Sequence, residues 1–84
     1  MASTSLESAT KARTLSAGSL HNLTSIGGAP CRRIRCEGQG TLVLRLRDDS
    51  ADVTISGLVA GEILDVQAVF IRAASTVPKF NVFW

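Results

Sequence analysis

From residue 41 to residue 47 the chain reads Thr-Leu-Val-Leu-Arg-Leu-Arg, with a leucine at every second position. Successive side chains of a strand point to opposite faces, so this pattern places Leu42, Leu44 and Leu46 on one face and Thr41, Val43, Arg45 and Arg47 on the other. A helix would scatter the leucines around its circumference, and the segment is therefore a strand with one face on a core.

The same period runs through the rest of the second half. Residues 32–36 form a strand, followed by a Glu37-Gly38-Gln39-Gly40 turn whose glycines tolerate positive φ. Asp48-Asp49-Ser50-Ala51 makes a polar hairpin loop, and residues 52–56 return with Val53 and Ile55 inward. Gly57 to Gly61 reverses the chain. Residues 62–73 read as one long strand with Leu64, Val66, Ala68 and Phe70 on one face and Ile63, Val69 and Ile71 on the other. Glu, Leu, Gln and Ala would also suit a helix there, but Val, Ile and Phe after Gly61 favour the strand. Beyond Pro78, residues 79–84 put Phe80, Val82 and Trp84 on one face and Phe83 on the other. The expected fold is all-β, a small antiparallel β-sandwich or barrel of about five or six strands.

Residues 1–29 differ in composition. They hold ten Ser and Thr, three Gly and spaced leucines at 6, 15, 20 and 23, too little apolar material for a core of their own. We read 1–29 as an extended N-terminal arm that adds to a neighbour's sheet edge, and 30–84 as the β-rich domain. Within the arm, 1–13 reads as a short helical turn or as disorder, and 14–26 as extended. The Ser, Thr and Ala content with Lys11 and Arg13 superficially resembles a transit peptide, but Glu7 and the lack of an apolar face oppose it.

With 84 residues the chain buries only about 60% of the surface of its unfolded form, so external support is expected. Cys31 and Cys36 lie five apart, which in a strand sends the sulfurs to opposite faces, so we expect free thiols of a reducing compartment. His21 has no Cys or His set to complete a zinc site. Asp48, Asp49 and Asp52 lack the spacing and glycine of a calcium loop, and no glycine pair precedes a helix as a phosphate cradle would. No catalytic, cofactor or metal site is expected, which leaves oligomerisation. No run approaches the roughly 18 apolar residues of a membrane span, so no membrane partner is expected.

Two surface groups stand out. Val43, Ile63, Val69, Ile71 and Phe83 lie opposite the core stripe and are candidates for a subunit contact, against the simpler reading that the long strand bends between two packing layers. Arg33, Arg35, Arg45 and Arg47 share the polar parity of two strands expected to be neighbours, giving a four-arginine face. Such a face would suit nucleic acid, but aromatic stacking residues are missing from it and acidic residues lie close by. A net charge of +2 adds little.

The run from Val53 to Leu64, Val-Thr-Ile-Ser-Gly-Leu-Val-Ala-Gly-Glu-Ile-Leu, followed by Val69-Phe70-Ile71-Arg72-Ala73-Ala74-Ser75-Thr76, resembles small virion proteins of tailed phages and gene transfer agents, notably spike-base proteins. The likeness spans about 30–84; where that family carries glycine before the Thr-rich loop, this chain has Ala73-Ala74-Ser75. The resemblance implies a virion structural protein, a capsid decoration, head spike base, or neck or tail component, assembled in the host cytoplasm. Its partners would be copies of itself, as a trimer or higher homo-oligomer, and virion proteins such as the major capsid or portal and tail proteins.

Overall fold

The computed structural model describes residues 10–84, so the expectation for 1–9 lies outside the described residues. Eight strands and one helical turn follow in the order β1 (Ala12–Ser16), β2 (His21–Asn22), α1 (Leu23–Gly27), β3 (Arg33–Cys36), β4 (Gly40–Leu46), β5 (Val53–Leu58), β6 (Ile63–Leu64), β7 (Ala68–Ile71) and β8 (Lys79–Phe83). They form two four-stranded sheets, β1-β8-β3-β6 and β2-β7-β4-β5, and every pairing is antiparallel. The all-β, sandwich-like expectation holds. Ile34, Cys36, Phe80 and Val82 of the first sheet and Leu42, Leu44, Ala68 and Ile71 of the second are fully buried in one shared core.

Among the described residues only the β4–β5 connection is a hairpin within one sheet; elsewhere the chain crosses between sheets. The 37–40 turn therefore is not a hairpin but a corner. Gly40, at φ +150°, lets the backbone of Thr76 and Val77 approach so closely that a Cβ would lie 2.8 Å from Val77 N. Across this corner hydroxyls replace a strand partner for β4: Ser75 Oγ accepts from Val43 N at 2.9 Å and Thr76 Oγ1 from Thr41 N at 2.9 Å.

The expected long strand 62–73 is two strands in different sheets. β6 pairs with β3 and β7 with β4, so the bend between layers accounts for its two-sided pattern. A second change occurs inside β7. Arg45 faces Phe70 but Leu46 faces Ala68, leaving Val69 as an extra residue, a β-bulge that reverses parity. Hence Ile71 joins the core, and Phe70, expected there, turns outward. β5 carries a similar bulge at Gly57, φ +74°, which returns Leu58 to the core beside Val53 and Ile55.

From Ala12 onward the expected arm is part of the sandwich. β1 pairs with β8 and β2 with β7 of the same chain, and Leu23 is fully buried. Asn22 caps α1 by accepting from Ser25 N at 3.1 Å, and Gly28, in the left-handed region, closes it. Trp84 ties this segment to the rest: it is 5% exposed, lies against Gly27 where a Cβ would collide with the indole, and its Nε1 donates to Ala29 O at 2.8 Å and Leu23 O at 3.1 Å.

Candidate interaction faces

Residues opposite each other across an antiparallel pair project to the same side, so register defines each outer face. On the first sheet one row is Thr14, Asn81, Arg35 and Ile63, and the next is Ala12, Phe83 and Arg33. Asn81 organises the first row, with Nδ2 donating to Thr14 Oγ1 at 3.0 Å and Glu37 Oε2 at 2.6 Å, while its Oδ1 accepts from Arg35 Nη1 at 3.1 Å. Arg33 Nε pairs with Asp65 at 2.6 Å. Ile63 stands at the rim of this polar lattice, 48% exposed, and Phe83 is half-buried within it.

The second sheet treats its cations differently. Asp52 receives Arg45 Nε and Arg72 Nε, each at 3.2 Å, and the Arg72 guanidinium also lies over the Phe70 ring at 4.7 Å from its centroid. Val43, opposite Thr54, occupies the same outer face.

The structure therefore divides the expected groups. Arg33 and Arg35 belong to the first sheet, Arg45 to the second, and Arg47, past the end of β4, pairs with Asp48 at 3.5 Å in solvent. The single four-arginine face is not formed, because β3 and β4 are not neighbours. Of the expected contact residues, Ile63 and Phe83 share the outer face of the first sheet, Val43 lies on the other, Val69 occupies a bulge, and Ile71 is core. Arg72, Asn81 and Ser75 were missed; the Val43–Arg45 and Ala73–Thr76 patterns carry no local sign of the partners that recruit them.

Cys31 and Cys36 are both free and fully buried. The strand begins only at Arg33, so Cys31 is not bound by strand parity and also turns inward. Burial raises both thiol pKa values, with the Glu62 charge adding to the effect at Cys36. His21 packs edge-on against Phe80 at 5.8 Å, and its Nε2 donates to Ser16 O at 2.7 Å. A cleft of about 430 Å³ at one end of the sandwich is bordered by Arg32, Arg47, Gln67 and Trp84. Among the described residues, no group of three or more His, Cys, Asp or Glu is placed to hold a metal. Comparison with family models, curated proteins and solved structures finds no match to this chain.

Proposed function

We propose that this protein is a non-enzymatic structural subunit of a tailed phage or phage-like particle, assembling with copies of itself and docking onto other virion proteins. The observation that supports this best is the outer face of the first sheet, where Ile63 and Phe83 stand beside Arg35, held by Asn81, and Arg33, held by Asp65. Apolar side chains and arginines held rigidly together are the composition of protein interfaces, since arginine brings directed hydrogen bonds and prior ordering lowers the entropy lost on binding. The two buried free thiols suit assembly in a reducing cytoplasm. Capsid decoration, head spike base, and neck or tail component are the locations the family resemblance implies.

The test is the presence of the chain in purified particles. Particles banded on a density gradient should carry it, and Ile63→Glu should remove it from them while changing the stability of the isolated protein by less than about 0.5 kcal/mol, as for most surface substitutions. Particles that lack the wild-type chain, or that retain the Ile63→Glu variant at full occupancy, would overturn the reading.

A further inference from the structure

Two sheets of four strands leave four edges, and they are not equally protected. β2 and β6 are two residues long. β1 is flanked by Lys11 and carries the exposed Arg13, and charges on an edge strand are one of the devices that prevent strand addition. β5 has six residues, and from Val53 to Gly61 there is neither a charge nor a proline.

Which backbone groups of β5 are open follows from its neighbour. Val43 O accepts from Arg72 N at 2.8 Å, and Val43 N donates to Ser75 Oγ at 2.9 Å, so both polar groups of Val43 face away from β5. The Val43–Thr54 pair is thus the kind without mutual hydrogen bonds, and Thr54 directs its own N–H and C=O to the open side. By alternation Asp52 and Ser56 do the same.

We propose that β5 pairs antiparallel with β5 of a second copy about a two-fold axis through Thr54, joining two four-stranded sheets into one of eight; this rests on the assembly reading above and names its partner and edge. The edge is self-complementary in that register. Thr54 faces its own copy, each Val53 meets the other chain's Ile55 on the core side, and each Asp52 meets Ser56. Val53 and Ile55 are only partly buried against the core, so the second copy completes their burial. No like charges meet, since Asp52 is already held by Arg45 and Arg72 and the opposing residue is a hydroxyl. About six backbone hydrogen bonds form, from the pairs 54–54, 52–56 and 56–52. The bulge at Gly57 ends the ladder by twisting the strand beyond it.

Sedimentation equilibrium of the full chain from low-micromolar to near-millimolar concentration tests this. Wild type should be a reversible dimer. Thr54→Pro removes an N–H with no partner among the described residues, so it should raise the dimer dissociation constant by about a hundredfold or more and leave the melting curve of the diluted monomer in place. If the proline variant misfolds, Thr54→Lys replaces it, keeping the N–H and setting two ammonium groups opposite each other. Ile63→Glu should leave the dimer intact. A wild-type monomer across the series, or a dimer unmoved by both Thr54 variants, overturns the edge pairing. Dissociation by Ile63→Glu alone overturns it too, while leaving the assembly reading standing.

Discussion

Each sheet holds two arginines beside its outer face, and the two sheets partner them differently. In the first, Arg33 pairs with the Asp65 carboxylate and Arg35 with the Asn81 amide, each arginine with a partner of its own, and Ile63 stands exposed beside them. In the second, Arg45 and Arg72 converge on the one carboxylate of Asp52, and Arg72 also lies over the Phe70 ring, so two cations share a single acidic partner within the chain. The difference teaches that the fate of a strand arginine depends on what the register sets across from it. The sheets also differ in how they are closed. β8 lies between two strands remote in sequence and leads to Trp84, whereas the second sheet is built around a local hairpin.

The largest test of that contrast is Trp84→Ala. It removes a buried indole and leaves the carbonyls of Leu23 and Ala29 without their donor, and should cost about 3 to 5 kcal/mol. At about 4 to 8 °C per kcal/mol for a domain of this size, calorimetry should show a fall of more than ten degrees. A variant melting within a few degrees of wild type would mean that Trp84 does not close the first sheet.

The thiols give a pH test. Folding raises the pKa of Cys31 and Cys36, so the unfolded chain releases these protons first. Their contribution to stability is full below the unfolded thiol value of about 8.5 and is lost as pH rises through the folded values, with a slope of at most about 1.4 kcal/mol per pH unit for each thiol. Urea midpoints should fall above that pH, and Cys31→Ala with Cys36→Ala should flatten the dependence. An unchanged slope would assign the alkaline loss to other groups.

Asp52→Asn should destabilise by about 1 kcal/mol, because two guanidinium groups lose a shared acceptor charge, and the loss should shrink in high salt. On the first sheet Asp65→Asn should cost less than about 0.5 kcal/mol, since Asp65 is mostly in solvent and serves one arginine. Equal costs would erase the distinction between the two faces.

The period-two pattern by itself determined much of this protein: that the chain is built of strands, that β4 and β5 form a hairpin, and that Leu42, Leu44, Val53, Ile55, Phe80, Val82 and Trp84 turn toward a core. Alternation is local, and burial of one face follows from it wherever a strand pairs regularly. Tertiary structure decided which sheet each strand joins and therefore which surface residues become neighbours. Arg33 and Arg45 part because the chain crosses layers at Gly40, where a backbone approach from Thr76 and Val77 leaves no room for a side chain. Ile71 exchanges places with Phe70 because Val69 is extra only relative to β4, and a bulge has no meaning until a partner strand supplies the count. For the same reason Ala12 to Gly27, weak in apolar residues, is held by pairings to β8 and β7 and by the Trp84 indole, all contributed from more than forty residues away in the sequence.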